Sequence, residues 1–139
     1  MALSKFDLAV TALAALALLG GCTSMERSYP GHTDQQVWKA MQVVAEDPEY
    51  KDWVVSENEV FVHEGERRIE AYRRLLREYW APNSSPTRQE QEWRMTMQLL
   101  PDKAPPTVKI TSRGPGLPAE ASREADRYFD EIGKLLTAP

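Results

Sequence analysis

This chain of 139 residues has one cysteine, two histidines and no apolar run long enough to cross a bilayer. A single thiol rules out an internal disulfide framework and any metal site built on several thiolates. His32 and His63 stand far apart among scattered carboxylates, which is not a metal-ligand spacing. No glycine-rich phosphate loop, nucleophile elbow or zincin-type helix motif occurs. Ser84-Ser85 has the composition of a Pro-rich loop, and Glu57/Glu59 and Glu90/Glu92 alternate as a solvated strand face does. A hydrolase would need a cleft that gathers His63 and carboxylates. The residues imply no enzyme and no cofactor.

What the chain does hold near its start is Leu8 to Leu19, twelve residues without a charge, dominated by Leu and Ala. A spanning helix needs ~20 apolar residues, so the run fits the apolar region of a secretory signal. A core helix would need a polar face, and Thr11 is all that the run offers. Charge is uneven further on. Residues 22–64 hold three Lys/Arg against nine Asp/Glu, residues 65–116 ten against six, and the remainder three against five. An acidic first part and a basic middle can be complementary within one fold. With a pI near 5.3 behind a secretory signal, nucleic acid is a poor candidate ligand.

Leu19-Gly20-Gly21-Cys22 resembles the lipobox of bacterial lipoproteins. The resemblance implies that a signal peptidase reads Leu19, Gly20 and Gly21 and cuts before Cys22, whose thiol carries a diacylglycerol. It also implies a membrane-anchored protein outside the cytosol. Lipoproteins retained on the inner membrane of Gram-negative cells commonly carry Asp after the cysteine. Thr23 stands there instead, which by resemblance favours the outer membrane, facing the periplasm. The expected organisation is a signal peptide over 1–21, a lipidated cysteine with a tether over 22–32, and one domain over 33–139. The Ser, Pro and Gly of residues 23–32 read as that tether.

Within the domain, Thr33 and Gln36 form a capping box, and Val37, Trp38, Met41, Val44 and Ala45 make one apolar stripe ended by Asp47-Pro48. Trp53–Ser56 and Val60–His63 prefer strand, as two strands or one bent one. Gly65 is placed to take positive φ in a following hairpin turn. Arg67–Trp80 has helical spacing, but it follows a hairpin signal and precedes a clear strand pair, which favours strand. Glu92–Leu100 alternates cleanly, Thr107–Ser112 returns, and Pro118 opens a closing helix with Ala121, Ala125, Tyr128, Phe129, Ile132, Leu135 and Leu136 inward. The fold class is α+β: an N-terminal helix, an antiparallel meander of three to four strands, and a C-terminal helix on one sheet face. Trp38, Trp53, Trp93, Phe129 and Ile132 are the expected core. The first and last helices are similar to those of small lipoprotein domains that serve as accessory parts of envelope machines.

One constellation suggests binding: Arg67, Arg68, Arg73, Arg74 and Arg77, with Tyr72, Tyr79, Trp80 and Arg88 nearby. Arginine grips phosphate or carboxylate in a two-pronged fork, and aromatic rings anchor at membrane interfaces. Interleaved Glu66, Glu70 and Glu78 can instead make the stretch a salt-bridged, solvated face. The expected function is a non-catalytic envelope lipoprotein that binds an envelope protein or an anionic polymer. The alternative is a small-ligand or lipid carrier using a concave sheet face lined by Trp93, Met95 and Met97, provided no helix fills it.

Overall fold

The computed structural model describes residues 23–113 and 118–138. Leu19, Gly20, Gly21 and Cys22, the expected peptidase and lipidation residues, lie with residues 1–18 outside the described residues. The order is β1 (Thr23–Ser28), α1 (Asp34–Glu46), β2 (Val54–His63), β3 (Arg68–Tyr79), β4 (Thr87–Leu99), β5 (Thr107–Arg113) and α2 (Pro118–Thr137). The strands form one antiparallel sheet in the order β1-β5-β4-β3-β2. This is the expected α+β class, with five strands where the sequence suggested three or four.

The fifth strand comes from the segment expected to be a tether. Residues 23–28 pair with β5 from Thr23↔Ser112 to Ser28↔Thr107. Met25 and Arg27 point to the helix side, and the buried Tyr29 follows them. Arg27 reaches Asp130 at 2.6 Å and Asp126 at 3.3 Å on α2, and the Tyr29 hydroxyl donates to the Phe129 carbonyl at 2.9 Å. Period-two alternation in Met25, Arg27 and Tyr29 was the signal, hidden by Ser, Thr and Arg. Residues 23–28 therefore belong to the sheet, where the sequence suggested a tether.

Helix α1 forms as its capping box dictates. Gln36 N–H donates to Thr33 Oγ1 at 3.2 Å, and Thr33 N–H to Gln36 Oε1 at 2.9 Å. Its whole expected stripe is buried. Strand β2 is the single bent strand, with a bulge at Ser56 between Val55 and Glu57. Of residues 67–80, Arg68–Tyr79 are strand. At the β2–β3 corner Arg67, not Gly65, takes the left-handed conformation, at φ 49°. Trp38 Nε1 and Gln42 Nε2 each donate to Glu64 at 2.8 Å and hold that corner against α1.

Both helices cover one sheet face. Ile69, Ala71, Leu75, Trp93, Met95, Met97, Leu99, Val108 and Ile110 alternate onto it and are buried. From α2 come Ala125, Tyr128, Phe129 and Ile132, whereas Leu135 is exposed and Leu136 half-buried. Trp53 is half-buried and belongs to a second, smaller cluster with Leu75, Trp93 and Ala121. The opposite sheet face carries Phe61, Arg68, Glu70, Tyr72, Arg74, Arg94 and Thr96, and among the described residues no helix covers it.

Candidate functional site

The arginines of residues 67–77 do not form one surface. Strand alternation sends Arg68 and Arg74 to the open face, where Arg68 meets Glu66 at 3.0 Å and Glu70 at 2.5 Å, and Arg74 meets Glu92 at 3.4 Å. Arg67 lies at the corner, with its carbonyl accepting from Leu99 N–H at 3.0 Å. Arg73 and Arg77 point beneath the helices. The expected patch is thus divided by the pleat, and its open-face half is the salt-bridged surface that Glu66 and Glu70 suggested.

Arg73 is fully buried, at 0% exposure. Its Nε donates to Asn58 Oδ1 at 3.1 Å, its Nη1 to the Tyr50 hydroxyl at 2.9 Å and its Nη2 to the Ala45 carbonyl at 3.2 Å. The Tyr50 hydroxyl donates onward to Glu124 Oε1, which also accepts from Arg127 Nη2 at 2.8 Å. Glu124 lies 3.8 Å from Arg73 and is 7% exposed. The Arg127 guanidinium sits 3.5 Å over the Tyr50 ring and donates to the Glu49 carbonyl. Burial, then the Glu124 charge, pushes the Tyr50 phenol up to about 12. Burial also raises the Glu131 carboxyl, against the pull of Arg127 3.7 Å away. A buried charge survives only when paired and hydrogen-bonded, and every partner of Arg73 comes from another element.

This network forms one wall of a cavity of about 430 Å³ between the β3–β4 ribbon, the 50–53 loop and the first half of α2. Such a volume suits one small ligand or one headgroup. Leu75, Trp53 and Trp93 supply apolar and aromatic walls. Arg77 stacks over Trp53 at 4.4 Å and donates from Nε to Gln89 at 2.5 Å. Among the described residues its two terminal amino groups have no protein acceptor. Trp93 is 2% exposed, and its indole N–H likewise has no hydrogen-bond partner among the described residues. Lys51, Arg77, Arg123 and Arg127 line it together with Asp52 and Glu124, and Arg127 is paired with Glu124 and Glu131. The cavity therefore offers the terminal amino groups of Arg77 beside aromatic side chains, which together suit a carboxylate or phosphate carrying an apolar part.

Sequence reasoning found Arg77 and Trp93 and missed Tyr50, Glu124 and Arg127. The signal was present in α2. Glu124 falls in the apolar stripe beside Ala121, Ala125 and Tyr128, and a carboxylate there needs a buried cation. Met95 and Met97, expected to line a ligand pocket, are instead packed under the helices; of the three only Trp93, itself 2% exposed, borders the cavity. His63 sits at the opposite end of β2, paired with Arg68, and its Nε2 lies 3.6 Å from Glu70. His32 lies in the turn before α1. Among the described residues no cluster of His, Cys, Asp and Glu fit for a metal ion occurs, and no helix is long and apolar enough to cross a membrane.

No protein-family model matches the sequence, and no curated protein matches it either. Among solved structures, a DUF4468 family protein from Bacteroides ovatus is similar over 85% of this chain and 86% of its own, with a TM-score of 0.53 and 14% identity. A protein from Chromobacterium violaceum aligns over 86% of this chain and 99% of its own, with a TM-score of 0.45 and 12% identity. At 14% identity the Bacteroides likeness is one of fold: an α+β domain of the same architecture.

Proposed function

We propose that this chain is an extracytoplasmic lipoprotein, cleaved after Gly21 and held by acyl chains on Cys22, whose body is a non-catalytic binding module. The ligand is an anionic amphiphile, with a carboxylate or phosphate in the fork of Arg77 and its apolar part against Trp53 and Trp93. The observation that carries this reading is the arginine-bearing, aromatic-walled cavity at the β3–β4 end of the helix-covered face. Its one buried carboxylate, Glu124, is committed to Tyr50 and Arg127 and holds the wall together. The anchor is physically sufficient, since each buried CH₂ contributes roughly 0.8 kcal/mol and two or more chains hold stably. Thr23 after Cys22 supports the outer membrane, facing the periplasm.

Native mass spectrometry of the full-length protein, extracted from membranes in mild detergent, tests the cavity. A co-purified anionic amphiphile is expected, lost in Arg77→Gln and in Trp53→Ala. Bare protein in all three preparations would sink the reading. A second reading, docking of an envelope protein or anionic polymer, is favoured by the open sheet face. There the exposed Phe61 and the ring of Tyr72, with Arg94 at 5.4 Å over it, border a shallow hollow of about 390 Å³. Crosslinking in cells from position 61 would recover a defined partner if this second reading holds.

A further inference from the structure

The β3–β4 hairpin projects past both of its neighbours. Among the described residues, pairing between β4 and β5 reaches Arg94↔Arg113 and pairing between β2 and β3 reaches Val54↔Leu76, whereas β3 and β4 remain paired down to Tyr79↔Thr87. The three residues of β3 beyond Leu76, at ~3.3 Å each, carry the ribbon roughly 10 Å past the start of β2. Thr23 pairs with Ser112 and Ser112 with Met95, so the chain enters the sheet at the same end toward which the hairpin points. Cys22 is bonded directly to Thr23, and adjacent Cα atoms are ~3.8 Å apart. A lipidated Cys22 thus leaves the body no slack and holds this end of the sheet against the bilayer.

The tip is built for such a place. Tyr79 is 52% exposed and Trp80 69%. Pro82, Asn83 at φ 63° and Pro86 turn the chain without offering a pairing edge. Aromatic side chains with one polar group settle at the headgroup level of membranes. Arg88, Glu90 and Glu92 along the ribbon are exposed and charged, which keeps its length out of hydrocarbon. Only the tip can enter.

We infer that the 79–86 tip is a membrane contact, with Tyr79 and Trp80 seated in the interface of the bilayer that carries the Cys22 lipid and the ribbon lying obliquely along its surface. This rests on the lipoprotein reading, because the anchor fixes which end of the sheet meets the membrane. It also places the cavity of Arg77, Trp53 and Trp93 at the base of the same hairpin, within reach of lipid headgroups.

The test uses the full-length protein, purified from membranes and reconstituted in phosphatidylethanolamine–phosphatidylglycerol vesicles. A nitroxide is attached at Ser85→Cys or, as a far-end control, at Lys103→Cys in the β4–β5 turn. Collision with oxygen and with a water-soluble nickel chelate reports depth. The ratio of oxygen to nickel accessibility at position 85 is expected to be severalfold that at position 103. Tyr79→Ser/Trp80→Ser is expected to bring it down to the control value; both side chains are exposed, so the fold survives. A water-like ratio at 85, in protein whose N-terminal peptide mass shows an acylated Cys22, would overturn the membrane contact and leave the lipoprotein reading standing. A membrane-like ratio that the double variant leaves unmoved would overturn the role of the two aromatics. An unacylated Cys22 would overturn both readings together.

Discussion

Replacing Arg73 by Met removes the one cation at the centre of the buried network while keeping an apolar stem of similar length. Arg73 lies on a surface-like, charge-alternating stretch of sequence, and an exposed substitution there would cost within ~0.5 kcal/mol. The structure makes a different demand. Asn58 Oδ1 and the Tyr50 hydroxyl lose the donor Arg73 gave them, the Ala45 carbonyl keeps only Asn58 Nδ2 at 2.9 Å, and Glu124 loses one of its two cations. Breaking a buried pair by removing one partner costs about 3–5 kcal/mol. Glu124 keeps Arg127 at 2.8 Å and the Tyr50 hydroxyl, which places the expected loss near the low end, about 3 kcal/mol. Urea unfolding followed by tryptophan fluorescence and circular dichroism measures it as a lower midpoint at unchanged slope. Adding Glu124→Gln removes the charge left behind, so the double variant should cost about 1–3 kcal/mol less than the sum of the singles. A loss under ~1 kcal/mol for Arg73→Met, or strict additivity of the pair, would refute the buried network.

Removal of the Tyr29 ring by Tyr29→Ala should cost about 3 kcal/mol in the same assay, as for a large core aromatic, where a flexible tether would show no change. Glu64→Ala leaves the Trp38 indole N–H and the Gln42 amide without their acceptor and should cost about 1–2 kcal/mol, read as a drop in melting temperature. Alkaline pH should destabilise the fold. Up to pH 10 the Tyr50 phenol is protonated in both states, but between 10 and about 12 the unfolded chain releases that proton and the folded chain keeps it. Stability is therefore lost as pH rises through this window, by about 2–3 kcal/mol from Tyr50. Burial raises the phenols of Tyr29 and Tyr128 as well, so the same fall steepens. Tyr50→Phe should flatten the pH 10–12 slope of the urea midpoint; an unchanged slope would contradict the assignment.

Much of the fold could be read from local pattern. The capping box and stripe of α1, the alternation of β4 and β5 and most of the α2 stripe each follow from residues near one another in sequence. Residues 67–80 needed context, because Ile69, Tyr72, Leu75 and Tyr79 fit a helical period as well as a strand with buried Arg73. Strand β1 was concealed by its composition: Thr, Ser, Glu and Arg around one Met look like a linker until β5 gives them a pairing edge. The site was less legible for a plainer reason. Arg73 is held by Ala45, Tyr50, Asn58 and Glu124, and the cavity joins a loop, a ribbon and a helix from three separate stretches. Alternation within 67–77 could say that the arginines split between two faces, but not which face the helices would cover.

The proposed acylation of Cys22 carries the proposed compartment, orientation of the sheet and source of the ligand, and one experiment reads it directly. Cells expressing the protein are fed a labelled fatty acid, and the purified chain is weighed intact beside Cys22→Ser. The unaltered chain should carry the label and have lost residues 1–21, while Cys22→Ser keeps its leader and takes up no label. An unaltered chain that retains its full-length N-terminus without label, indistinguishable from Cys22→Ser, would contradict the anchor and every assignment built on it.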